Sequence, residues 1–132
     1  MSIYAVYVRN TSGIKYADAI AQGYKLIETR TRDTLGKLVG ERVLIVRTRA
    51  RHEAEVIGAV TITGKTFVPA ADFGKLFDKH LVPPGSKFDA HGRGKWCYDL
   101  ADAEAFSEAT PLSKLGVIAK NRSYATIATA DD

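Results

Sequence analysis

The chain is poor in everything that would staple, span or repeat. One cysteine, Cys97, stands among its 132 residues, so no internal disulfide forms, and a reducing compartment is the expectation. Four prolines and eleven glycines are too few for a collagen-like or low-complexity chain. No apolar run approaches the roughly 18 residues of a membrane-spanning helix, and no signal-peptide core follows Met1. The expectation is a cytoplasmic protein with no membrane partner. The three histidines, His52, His80 and His91, lack the spacing of metal ligands, so neither a metal nor a cofactor is expected. With 45% hydrophobic and 26% charged residues, there is enough apolar material to offset the entropy of ordering. The length suits one domain, 1–132.

Net charge is +4, but it is unevenly spread. Residues 1–66 carry a net +5 and residues 67–132 a net −1. Much of the excess lies between Lys25 and Arg51, where Lys25, Arg30, Arg32, Lys37, Arg42, Arg47, Arg49 and Arg51 face Glu28, Asp33 and Glu41. A field of that sign attracts phosphates; the plainer alternative is a solvated surface.

Along the chain, Ile3 to Val8 is β-branched and aromatic and reads as a buried strand. Thr11-Ser12-Gly13 reads as a turn with a helix N-cap, and Lys15 to Gln22 as a short helix. Gly23 stands where a helix end needs positive φ. Leu26 to Arg32, Arg42 to Arg49 and Glu55 to Thr63 read as strands, the last two as a hairpin, with Gly58 marking a bulge or a close backbone approach. Residues 70–80 form the best amphipathic helix, with Phe73, Leu76, Phe77 and His80 on its apolar stripe. Lys95 to Leu100 reads as a strand, Asp102 to Ser107 as a helical turn, and 116–132 as a last strand (Ser123 to Thr129) with an acidic tail. These elements predict an α+β domain whose twisted sheet curls into a partial barrel that hides its edges. A parallel βαβ architecture is not expected.

One segment stands out chemically: Gly23-Tyr-Lys-Leu-Ile-Glu-Thr-Arg30, a G-x-K-x-x-E-x-R arrangement. Glu28 and Arg30 point the same way in a strand, while Lys25 converges with them only from the preceding turn. Such a cluster is able to bind an anion, position a base edge, or supply a nucleophile and base. The structural alternative is a cross-strand ion pair on a half-exposed sheet.

This segment resembles the signature of the ASCH family of the PUA-like superfamily. The Gly40-Glu-Arg-Val-Leu-Ile45 step, the Val56 to Val60 stretch with Gly58, and the Lys95-Trp96-Cys97-Tyr98 strand are similar to the family's later strands. The resemblance covers roughly residues 3–100. It implies a small PUA-like β-barrel with two or three short helices and a cleft facing RNA or a nucleoside. Lys25 matches the family lysine and Arg30 its arginine. Glu28 stands where a branch that deacetylates 4-acetylcytidine has a threonine, and that branch's glutamate has no counterpart in 70–90, where Asp78, His80 and Asp89 are the polar candidates. Ribonuclease members pair the lysine with a tyrosine and a serine, for which Tyr16 or Tyr24 and Ser86 or Ser123 are the candidates.

Other residues carry two readings each. Trp96 and Tyr98 either stack a base, worth about 1–3 kcal/mol, or fill the core. Arg47, Arg49 and Arg51 share a strand face, suited to a phosphate backbone or to solvent. His80 reads as a packed helix-end histidine and Cys97 as an apolar filler. The expectation is an RNA- or nucleotide-binding module, with Lys25, Glu28 and Ser123 as candidate catalytic residues. Its candidate ligand-binding residues are Tyr24, Arg30, Arg32, Arg47, Arg49, Ser86, Trp96 and Tyr98. The alternatives are an enzyme, a metal-independent ribonuclease ahead of a nucleoside amidohydrolase, and a protein-interaction domain. Oligomeric state is not legible in the sequence.

Overall fold

The β-branched run near the N-terminus forms β1 (Ser2–Arg9), and both of its faces are covered. Val6 and Val8 join the main core, while Ala5 packs with Val46, Val56, Ala125 and Ile127 in a smaller cluster on the other side. A strand buried on both faces is a continuous apolar run rather than an alternating one, which is how Ile3 to Val8 reads. The computed structural model describes residues 2–129. The predicted acidic tail, Asp131 and Asp132, lies outside them.

The chain leaves β1 through Asn10, whose side-chain oxygen accepts the Ala17 N–H of α1 (Tyr16–Ala21) while its amide donates to Asp18. Thr11 closes the turn on Ile14 instead of capping the helix. Gly23 takes φ +84°, and the Tyr24 and Lys25 N–H groups both donate to the Ala19 carbonyl. The helix end therefore sets where Lys25 starts, as the glycine predicts.

β2 (Ile27–Arg30), β3 (Arg42–Thr48), β4 (Glu55–Pro69), β5 (Gly94–Pro111), β6 (Val117–Lys120) and β7 (Tyr124–Ala128) complete a seven-stranded sheet. Its order is β2-β5-β4-β3-β1-β7-β6. β1 and β3 run parallel and every other pair is antiparallel, so the sheet is mixed. The α+β class and the short helices stand, but the predicted barrel does not: β2 and β6 remain separate edges. The backbone beside β2 is already engaged. The Tyr7 N–H donates to the Ser123 carbonyl, and the Tyr7 carbonyl accepts the Arg30 guanidinium at 2.6 Å. A side chain, not a ladder, spans the seam between β2 and β1.

Two helical expectations change. Residues 70–80 form α2 (Ala70–Phe73), a 3-10 turn over Gly74–Leu76 and α3 (Phe77–His80). Glycine weakens the helix there, and the tighter turn shifts the periodicity. Phe73 and His80 stay buried and stacked, with ring centroids 3.9 Å apart, whereas Phe77 turns outward. The predicted helical turn at Asp102 to Ser107 is part of β5. There Asp102, at φ +55°, sits where the ladder to β4 skips between Ala59 and Thr61. Pairing along β4 overrides the helix-forming Ala and Glu residues. β6 was not expected.

Gly58 fulfils both of its predicted roles. The β3–β4 register shifts next to it, and a Cβ there would meet the Glu104 carbonyl oxygen and come within 2.8 Å of the Ala21 Cβ. Gly58→Ala is expected to cost about 1–3 kcal/mol in urea unfolding. Gly13→Ala, with nothing within 4 Å of the added methyl, should stay within about 0.5 kcal/mol.

Candidate functional site

A cavity of about 360 Å³ opens in the seam between β1 and β2. Its size is at the lower end for small-molecule sites, which run from about 300 to 1,000 Å³. Lys25, Glu28 and Arg30 all line it, and the three motif residues converge because Lys25 lies ahead of β2 rather than within it. Lys25 comes from the turn before β2 and is 2% exposed. Its ammonium donates to the His80 carbonyl at 2.5 Å, lies 3.7 Å from Glu28 Oε1 and sits 5.1 Å above the Tyr16 ring centre. Glu28 is held in turn: Oε1 accepts the Thr29 N–H and Oε2 accepts Arg30 Nη2, both at 3.0 Å. Arg30 Nε is buried with no partner.

Burial pushes the Lys25 pKa below that of an ordinary lysine; the Glu28 carboxylate opposes this and Arg30 adds to it. Burial raises the Tyr16 phenol, helped by Glu28. His80 completes the support. Its Nδ1 accepts the Val82 N–H, so the proton is on Nε2, which donates to the Phe73 carbonyl. A neutral imidazole follows, and burial accordingly lowers the His80 pKa. The predicted packed histidine thus holds the lysine through its backbone oxygen.

The cavity wall also carries cations that sequence reasoning did not select. Lys95, 6% exposed, reaches Thr31 Oγ1 at a long 3.4 Å, and burial lowers its pKa. Arg9 and Arg122 line the cavity and have no ion-pair partner among the described residues. Five basic side chains therefore line it against one carboxylate, Glu28. Tyr7, Tyr16 and Phe88 supply aromatic surface, and the Phe88 ring meets Tyr16 edge-on at 5.9 Å. Parallel pairing of Arg9 with Thr48 and the bond from Tyr7 to Ser123 bring β1, β3 and the turn before β7 to one rim. No local signal marks Arg9, Lys95 or Arg122, which lie far apart in sequence.

The other predicted residues lie elsewhere. Ser123 is buried beside Arg122 but does not line the cavity. Tyr24 is 69% exposed, and Arg32 is exposed just past the end of β2. Arg47 bonds both Asp18 and Glu55 at 3.0 Å, and Arg49 bonds Glu55 at 3.3 Å, so both face carboxylates. Ser86 Oγ is buried without a partner, outside the cavity. Trp96 meets the Phe67 ring edge-on and has Lys65 over its face. Tyr98 is fully buried, donating to Asp33 and accepting the Leu35 N–H, and burial raises its pKa. Cys97 is buried and its thiol is pushed up to about 11, as befits a filler. Among the described residues no three His, Cys, Asp or Glu side chains gather to hold a metal.

Fold and site together define an open-sheet α+β domain with a cationic cavity in its unpaired seam. The same fold occurs in the ASCH protein of Zymomonas mobilis, with a TM-score of 0.72 at 16% identity over 96% of this chain and 89% of that one. A serine-to-alanine variant of that protein matches with a TM-score of 0.69 at 16% identity, covering 91% of this chain and 85% of that one. A tyrosine-to-phenylalanine variant matches at 0.65 and 17% identity, covering 83% and 77%. No family model matches the sequence, and no curated protein matches it significantly. At these identities the likeness is one of fold.

The neutral His80 makes stability depend on pH. Its folded pKa lies below the unfolded value of about 6.5, so the unfolded chain binds the extra proton first. Stability should therefore be fully present above about pH 6.5 and fall as the pH drops toward the folded value. In thermal unfolding between pH 4.5 and 7, His80→Gln should lower the midpoint throughout and flatten this slope. An unchanged slope would show that His80 does not titrate there.

Proposed function

We propose that the seam cavity binds a phosphate-bearing nucleotide, either free or within single-stranded RNA. The observation that carries this reading is the charge imbalance of the wall: Arg9, Lys25, Arg30, Lys95 and Arg122 against Glu28 alone. Cations held partly out of water beside aromatic rings suit a phosphate joined to a planar base. The G-x-K-x-x-E-x-R resemblance and the fold shared with the Zymomonas mobilis protein support the same reading. In it, phosphates follow the rim arginines Arg9 and Arg122. Arg47 and Arg49 are already matched by Asp18 and Glu55.

A second reading, an enzyme acting on the bound nucleotide, is favoured by the burial that destabilises the Lys25 ammonium beside the Tyr16 ring. As a ribonuclease, Lys25 would stabilise the charged transition state and Tyr16 would move a proton. As an amidohydrolase, the lysine would act unprotonated, which the nearby Glu28 opposes. Incubation with an RNA ladder and with 4-acetylcytidine separates cleavage from acyl removal.

Fluorescence anisotropy with a labelled single-stranded RNA tests the binding itself. Affinity should fall linearly in log–log form as salt rises, and Arg9→Gln or Arg122→Gln should each reduce the slope by about 0.7. Lys25→Met should abolish binding. No anisotropy change at low salt would remove RNA as the ligand, and an affinity indifferent to Lys25 would remove the cavity as the site.

A further inference from the structure

The cavity's inner wall presents an unusual acceptor. Glu28 is nine-tenths buried in a site whose other charged side chains are all cations, and its geometry is fixed from two sides. Oε1 takes the Thr29 N–H and Oε2 takes the Arg30 guanidinium. A carboxylate offers about two lone-pair positions on each oxygen. The Lys25 ammonium, at 3.7 Å, stays beyond hydrogen-bond distance of Oε1, so one acceptor position remains on each oxygen, a pair able to take two N–H donors side by side. Lys25, 3.7 Å from Oε1, spends one of its three hydrogens on the His80 carbonyl and keeps donor capacity beside that pair.

Resting on the nucleotide reading above, we propose that this arrangement selects guanine. The pairing edge of guanine runs carbonyl oxygen, ring N–H, exocyclic amine. Lys25 donates to the carbonyl oxygen, and the two Glu28 oxygens accept the ring N–H and the amine hydrogen. Adenine and cytosine bring an amine beside a bare ring nitrogen, so one Glu28 oxygen loses its donor. Uracil brings a single ring N–H between two carbonyls, one of which would face the carboxylate. A buried acceptor left without a donor costs more than the bond it fails to make. The ring itself lies against Tyr16 and Phe88, and the phosphate reaches the cations Arg9 and Arg122 at the rim.

The test is calorimetric titration of the native protein at low salt with the 5′-monophosphates of guanosine, inosine, adenosine, cytidine and uridine, and with guanosine. Inosine monophosphate differs from its guanosine counterpart by the amine alone. Guanosine monophosphate should bind about ten- to a hundredfold more tightly than inosine monophosphate, and guanosine should bind more weakly and with less salt dependence. An oligouridine carrying one guanosine, added as competitor, distinguishes RNA from the free nucleotide as the source of the base. Glu28→Gln, which replaces one acceptor by a donor, should bring the guanosine-to-inosine ratio toward one; should that variant fail to fold, the native ratio decides alone. Equal affinity for the five monophosphates would overturn guanine selection and leave the nucleotide reading standing. Binding of neither the monophosphates nor the oligonucleotide would overturn both.

Discussion

The site and the packing around it depend on one buried charge. The Lys25 ammonium is removed from water where three elements meet: the turn after α1, the strand β2 and the end of α3. Isolating a cation this way costs several kcal/mol unless its surroundings compensate. Here the Glu28 carboxylate, the His80 carbonyl and the Tyr16 ring face share that compensation. Each comes from a different part of the chain, so each element's position is tied to the others through one nitrogen atom. His80 shows how far the dependence reaches: its ring is held neutral by Phe73 and Val82 so that its backbone oxygen stays in place.

The same residues account for the opening in the sheet. β2 is a four-residue edge strand, paired only with β5, and its outer side looks toward β1. A backbone ladder there would have closed the seam. Arg30 instead reaches across to the Tyr7 carbonyl, keeping the strands near each other without joining them. An unpaired edge is ordinarily a liability. In this protein part of it is lined by charged side chains and becomes the wall of the cavity.

Local structure was legible where local chemistry decides it. The run Ile3 to Val8, the strand at Arg42 to Arg49, the release at Gly23 and the tight approach at Gly58 all follow from side-chain shape and backbone freedom, and each reads correctly. Where a distant partner decides, the reading failed. Asp102 to Ser107 carries helix-forming residues but lies against β4, whose hydrogen bonds outweigh that preference. The apolar stripe of 70–80 assumed an unbroken helix, and the 3-10 turn at Gly74 altered which rings face inward. The barrel expectation rests on the need to hide sheet edges and on the family resemblance, whereas closure depends on whether two particular edges find free backbone groups. Of the site, Lys25, Glu28 and Arg30 were legible because eight consecutive residues hold them, and Gly23 sets their geometry.

The sequence alone determined an α+β chain with a basic N-terminal half, and a turn and strand that carry a lysine, a glutamate and an arginine together. These properties are additive or short-range, and spacing is enough to read them. Only the tertiary structure decided that the sheet stays open. It also decided that Arg9, Lys95 and Arg122 join the motif around one cavity, and that Arg47 and Arg49 are matched by carboxylates. The physical reason is that the strength of a charge as a site depends on what neutralises it and how much water it keeps. Both are set by chain segments that meet only after folding.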